Sequence, residues 1–256
     1  MEKVDLPKIG SYEFLAEPFH CDFNSRLFMG HLGNHLLNAA DFHSHDRGFG
    51  MTYLNTIQRT WVLSRLAIEM EEMPPAYAKF KVDTWVESAL KFFTNRNFKV
   101  YDPDSGKVYG YGRSIWAMID TVTRQPANLL EIKDGSLVNY VEKEALCPIA
   151  KGSRVRMPEE AELITEFTAN YTDIDVNGHV NSVKYIDHMM DVFPLEWYKE
   201  HTIHRFEVAY VAEAHCGDRI RVYRHTEDGL SHMIRLSKVN ADGSEHEICR
   251  GLAAFV

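Results

Sequence analysis

The chain has no uninterrupted run of about 18 apolar residues, the length a membrane-crossing helix needs, and its opening MEKVDLPKIG holds no apolar stretch of signal-peptide length. Neither membrane insertion nor secretion is expected, and the sequence reads as cytoplasmic. Cysteine is scarce. Cys21, Cys147, Cys216 and Cys249 are scattered without C-x-x-C spacing, which fits neither a zinc site nor a small disulfide-stapled domain, so free thiols are expected. No P-loop pattern is present, and Gly110-Tyr111-Gly112 lacks the third glycine and the strand-turn-helix setting of a dinucleotide site, so no cofactor is implied. Basic charge is short as well. A formal net charge of −9 opposes nucleic acid and anionic membranes at long range, and an acidic partner would need a local basic patch.

What is present is ordinary globular material. Hydrophobic residues make up 45% and charged residues 25% of 256, which excludes a disordered or fibrous chain and suits two packed halves. Over 30–42, Leu32, Leu36, Ala39 and Ala40 recur at helical spacing and predict a half-buried helix. Strands are expected over 61–70 and 80–86, the second alternating Phe80, Val82, Thr84 and Val86, with a break at Pro74-Pro75. A long hairpin follows over 92–101 and 107–119, turning at the Asp-Pro-Asp-Ser-Gly of 102–106.

The second half repeats this plan. A helix is expected over 178–193, beginning at Gly178-His179 with Val180, Val183, Ile186, Met190 and Phe193 on one face; strands over 218–226, 230–238 and 245–256 follow, the last two joined by a turn at 240–243. Asp104 lies 19 positions after Trp85, and Asp242 lies 19 after Tyr223. Gly178 stands 148 positions after Gly30 whereas the hairpins are 138 apart, which predicts a loop insertion of about ten residues in the first half. The expected division is a first repeat over 1–132, a linker over 133–158 and a second repeat over 159–256.

Asp175, Asn177 and His179 fall at i, i+2 and i+4, and in an extended segment that spacing points all three side chains to one side. Gly178 lets the chain bend from extended to helical, so the groups are expected at a helix N-terminus whose free N–H groups favour developing negative charge. Standing alone, an Asp-x-Asn-x-His more often caps a helix than carries chemistry. His31 and His35 are four apart, but no Glu follows His31 and no third ligand is placed, so no metal is expected; the His43 and His45 pair reads as loop chemistry.

The run DIDVNGHVNSVKYID at 173–187 resembles the active-site motif of the acyl-acyl carrier protein thioesterases, found in plant plastids and in bacteria. NHLLNAA at 34–40, WVLSR at 61–65, VDTWV at 82–86 and Tyr210-x-x-Glu213 extend the likeness over most of the chain. The resemblance implies an α+β double hotdog fold, each repeat a central helix wrapped by an antiparallel sheet. It also implies a thioester hydrolase of fatty acid biosynthesis that acts on a phosphopantetheine-linked acyl chain on acyl carrier protein.

Carried over by position, the catalytic residues fall on Asp175, Asn177, His179 and Glu213. The family's usual Cys after that Glu is Ala214 here, and Cys216 is out of phase. The departure favours water activated by a carboxylate, Glu213 or Asp175, with Asn177 and His179 positioning water and carbonyl and helix N–H groups holding the oxyanion.

At the offset of 148, the three motif residues align with Leu27, Met29 and His31, as if the first half had lost the chemistry and kept an apolar channel. Met29, Leu37, Trp61, Trp85 and Trp116 are the expected lining of that channel. Lys91, Arg96 and Lys99, or Lys151, Arg154 and Arg156, are candidates for carrier docking. An acyl-CoA thioesterase, a dehydratase of the same fold and a non-catalytic acyl-binding module are the competing readings, and a homodimer is left open.

Overall fold

The computed structural model describes residues 6–152 and 155–256. The chain forms two compact units. The first takes in the residues up to Phe28, Asn34–Ser64 and Glu71–Lys151; the second takes in Met29–Gly33, Arg65–Met70 and the residues from Gly152 on.

The first unit draws on strands β1 (Gly10–Leu15), β2 (Arg59–Met70), β3 (Lys79–Ala89), β4 (Phe93–Tyr101) and β5 (Val108–Asp120), and on helices α1 (Met29–Asp46) and α2 (Met51–Thr56). Its sheet runs β1-β3-β4-β5-β2, with β1, β3, β4 and β5 antiparallel in sequence. The expected apolar stripe of α1 is sealed: Leu36 and Ala39 are 0% exposed. Burying a leucine this fully stabilises the fold by roughly 1.5–3 kcal/mol. The Phe80 ring meets the His35 ring of α1 edge-on at 5.3 Å, so Phe80, Val82 and Thr84 form the face of β3 turned toward the helix.

Arg96 enters from β4 on the same face. It is 5% exposed and donates to Thr84 Oγ1 at 3.1 Å and Ser44 Oγ at 3.2 Å. The stretch expected to begin a linker is packed structure as far as 151. Ile132 and Leu137 are buried against Phe49, Leu54 and Met118, and Arg113 donates to the carbonyls of Cys147 at 2.6 Å and Ile149 at 3.0 Å.

The second unit holds strands β6 (Glu162–Thr168), β7 (Ile203–Tyr210), β8 (Arg219–Thr226), β9 (Ser231–Val239) and β10 (Glu245–Phe255), with helices α3 (Ser182–Met190) and α4 (Leu195–Glu200). Arg65–Glu69 of β2 pair with β7, and the order continues β10-β9-β8-β6. Val183, Ile186 and Met189 bury the inner face of α3. Gly30 lies in close approach to α3: a Cβ there would come within 1.9 Å of Asp187 Oδ1, so the Asp187 carboxylate would have to move.

The additional length of the first half is not a loop insertion. Helix α1 has 18 residues where α3 has 9, and β2 has 12 where β7 has 8. The repeat aligns at 153 before these helices, not at 148. The 3-10 turn Pro18–His20 answers to Tyr171–Asp173, and Phe28, the cap residue of α1, answers to Asn181, the cap residue of α3. Leu27, Met29 and His31 are therefore not the counterparts of Asp175, Asn177 and His179.

Candidate active site

Residues 175–179 form a tight turn instead of an extended segment. Asp175 N–H donates to the His179 carbonyl at 2.8 Å, and Gly178 N–H returns to the Asp175 carbonyl at 3.0 Å. Gly178 adopts φ +81, where a residue with a Cβ is strained. Asp175 Oδ1 accepts from the backbone N–H of Asn177 at 2.8 Å and of His179 at 3.3 Å. The i, i+2, i+4 argument fails because the turn reverses the chain between Asp175 and His179.

The helix begins later than expected, at Ser182. Asn181 caps it by accepting from Val183 N–H at 3.0 Å, and Lys184 N–H is taken by the Asn181 carbonyl at 2.9 Å. Those two N–H groups are therefore not open to an oxyanion. The Asn177 side chain is on the exposed tip of the turn.

Glu213 comes to this turn from the other side. Past Tyr210, whose hydroxyl donates to the Ser182 carbonyl at 2.8 Å, the chain runs through Glu213 and Ala214. Ala214 is 0% exposed and its carbonyl accepts from Val180 N–H at 2.8 Å, which ties the strand end to the turn. As a result, Nε2 of His179 and Oε2 of Glu213 are 3.4 Å apart, with the side chains 26% and 40% exposed. That is a solvent-accessible imidazole–carboxylate pair within reach of the Asn177 amide's turn.

His215 was not anticipated from sequence. Its ring lies edge-on to His179, centroids 5.0 Å apart and planes at 82°. Its backbone N–H donates to Asp218 Oδ2 at 2.8 Å, and Lys238 Nζ reaches the same oxygen at 2.7 Å. Burial works to raise the Asp218 carboxyl, but the Lys238 ammonium and the His215 N–H outweigh it and hold the group below its ordinary value. The only sequence signal for His215 is its position two residues after Glu213. Cys216 follows on the exposed loop. Among the described residues, no group of three or more His, Cys, Asp or Glu is placed to hold a metal ion.

Known proteins match along nearly the whole chain. The acyl-ACP thioesterase N-terminal domain matches residues 11–133 and the C-terminal domain residues 156–251. An acyl-ACP thioesterase from Bacteroides thetaiotaomicron, solved as a crystal structure, is 50% identical, with 97% of this chain and 98% of that chain covered at a TM-score of 0.89. The chain belongs to the acyl-ACP thioesterase family.

The 12:0-ACP thioesterase from Umbellularia californica shares the fold at 19% identity, covering 98% of each chain with a TM-score of 0.84. The palmitoyl-acyl carrier protein thioesterase of Gossypium hirsutum is 27% identical over 73% of this chain and 47% of its own length. The chain thus spans about half the length of the curated plant relatives it matches. The fold is α+β and of the hotdog type.

For this acyl-ACP thioesterase family member, the expected acyl-chain lining needs revision. Trp85 faces away from α1, because Thr84 and the rest of its row face toward it, and Cys147 and Ile149 cover it instead. Met29 is buried at the first position of α1 and groups with the second unit. Leu37 is half-buried on α1. Trp61 donates its indole N–H to the Phe49 carbonyl at 3.0 Å, and Trp116 to Ser114 Oγ at 2.8 Å.

Of the docking candidates, Arg96 is withdrawn because it is buried. Lys91, Lys151 and Arg156 are exposed, Lys99 is half-buried, and Arg154 lies outside the described residues. No helix is long and apolar enough to cross a membrane among the described residues.

Proposed function

We propose that this chain hydrolyses the thioester of fatty acyl-acyl carrier protein, releasing the free fatty acid and the carrier with its phosphopantetheine thiol. The observation that carries the reading is the accessible His179–Glu213 pair on the Asp175–His179 turn of a family member. A thioester suits such a pair, since the thiolate leaves without a strong acid.

In the proposed step, Glu213 accepts a proton from water as the water oxygen bonds to the carbonyl carbon. The exposed Asn177 amide donates to the carbonyl oxygen as negative charge develops there, and His179 orients the water and the carboxylate. Collapse of the tetrahedral intermediate breaks the C–S bond, and the thiolate takes up the proton. A base contributes roughly 10²–10⁴-fold and an oxyanion donor about 10²–10³-fold.

The remaining assignments belong to the same proposal. The first unit lodges the acyl chain, with Leu37, Trp61 and Trp116 as the lining candidates, each buried CH₂ contributing about 0.8 kcal/mol. Lys91 and Lys99, or Lys151 and Arg156, receive the acidic carrier. The location is cytoplasmic, in keeping with four free cysteines.

The test is to incubate the purified protein with acyl carrier protein loaded with chains of graded length, beside the matching coenzyme A thioesters, and to follow free thiol. Faster release from the carrier substrates supports the reading. Release from coenzyme A thioesters alone moves the substrate class, and none from either leaves an acyl-binding module.

A further inference from the structure

The first unit contains a second copy of the catalytic turn. Asp22 N–H donates to the Arg26 carbonyl at 2.7 Å and Ser25 N–H to the Asp22 carbonyl at 2.9 Å, matching the bonds between Asp175 and His179 and between Gly178 and Asp175. Asp22 Oδ1 accepts from the backbone N–H of Asn24 and of Arg26, each at 2.9 Å, as Asp175 Oδ1 accepts from Asn177 and His179.

Ser25 has φ 57 where Gly178 has φ 81. An isolated bridge closes each turn, Cys21 to Leu27 and Ile174 to Val180. The anchoring bonds recur too: Phe28 N–H to the His20 carbonyl at 3.0 Å answers Asn181 N–H to Asp173 at 2.7 Å, and Leu27 N–H to Pro74 at 3.0 Å answers Val180 N–H to Ala214 at 2.8 Å.

What differs is the reacting pair. Arg26 stands where the catalytic turn has His179, and Met73, the residue before Pro74, stands where the residue before Ala214 is Glu213. Met73 is 4% exposed. One turn thus keeps the aspartate and its two backbone hydrogen bonds while having neither the imidazole nor the glutamate. The aspartate is present where no base is needed; its two backbone bonds, together with an ion pair from Oδ2 to the Arg26 guanidinium at 3.4 Å, explain it without any part in proton transfer.

We infer that Asp175 is a positioning residue, whose Oδ1 shapes the turn that presents Asn177 and His179, and that Glu213 is the carboxylate that takes the proton. The inference rests on the thioesterase reading for its catalytic half. Its structural half stands on the paired turns. Only one oxygen of Asp175 is used by the turn's backbone, and the amide oxygen of asparagine accepts the same two bonds while being unable to act as a base.

The experiment compares Asp175→Asn, Asp175→Ala and Glu213→Gln, with Asp22→Asn and Asp22→Ala as the counterpart pair. It reads kcat and KM for acyl carrier protein substrates, the pH profile of kcat/KM, and Tm. Asp175→Ala should lower kcat at least tenfold and lower Tm, with Asp22→Ala lowering Tm comparably. Asp175→Asn should restore Tm and bring kcat within about fivefold of the parent with an unmoved pH profile, whereas Glu213→Gln loses about 10²–10⁴-fold at unchanged Tm.

An Asp175→Asn variant as inactive as Glu213→Gln at the parental Tm would overturn the inference, and so would an unchanged Tm in both alanine variants. Full turnover by Glu213→Gln is a different result. It overturns the base assignment, the catalytic half of the inference, while the Tm comparison still judges the role of Asp175; the thioesterase reading itself fails only if the parent chain releases no thiol.

Discussion

His179 Nε2 lies 3.4 Å from Glu213 Oε2, and the two belong to segments joined by the backbone hydrogen bond from Val180 N–H to the Ala214 carbonyl. The pair should act as one unit. His179→Ala and Glu213→Gln are each expected to lower kcat about 10²-fold or more, and the double variant should lose little beyond the worse single. Thiol release under saturating substrate measures this. Losses that multiply would mean that the two groups act in separate steps.

The His215 ring packs edge-on against His179, a contact worth roughly 0.5–1.5 kcal/mol. Its removal in His215→Ala should cost up to about tenfold in kcat with KM nearly unchanged. His215→Phe preserves the edge-to-face contact and should recover most of the rate. Steady-state kinetics on the two variants decides whether the ring or its nitrogens matter.

The four thiols should differ in reactivity by burial. Cys216 is exposed, whereas burial raises the Cys147 thiol and raises that of Cys249, 0% exposed, far more. Brief alkylation of the native protein, read by mass spectrometry, should modify Cys216 ahead of those two. Hydrolysis should survive it, as it should in Cys216→Ala; loss of activity in that variant would restore a thiol nucleophile.

His43 is 1% exposed and its Nε2–H donates to the Lys8 carbonyl at 2.9 Å, so the neutral ring carries its proton on Nε2. Burial first, and then the Arg96 guanidinium, push its pKa down to about 3. The unfolded chain binds that proton near pH 6.5, so folded stability falls as pH drops from about 6.5 toward 3, by up to about 1.4 kcal/mol per unit, and is flat above that window. Urea unfolding at pH 7, 5.5 and 4.5 should show a shallower loss for His43→Gln than for the parent.

Periodicity made the helices and hairpins legible, since α1, α3 and the β4–β5 and β9–β10 pairs carry regular apolar spacing. The strands it passed over lack that signal. Strand β6 has no fully buried residue, so nothing apolar alternates, and β7 buries Phe206, Glu207 and Val208 consecutively, which erases alternation. At the site, the types of residue were legible from their resemblance, but their arrangement was not. Asp-Val-Asn-Gly is turn chemistry, and the like run Asp-Phe-Asn-Ser at 22–25 was hidden by the more conspicuous Gly-His match at 30–31. Contacts that decide Trp85 and Arg96 come from residues far along the chain, Cys147 for one and Ser44 for the other.

The sealed methyl of Ala214 fixes what the position after Glu213 can do in this chain. A methyl can neither take a proton nor attack a carbonyl, so the residue closes the floor beneath the glutamate and leaves the reacting thioester to water alone.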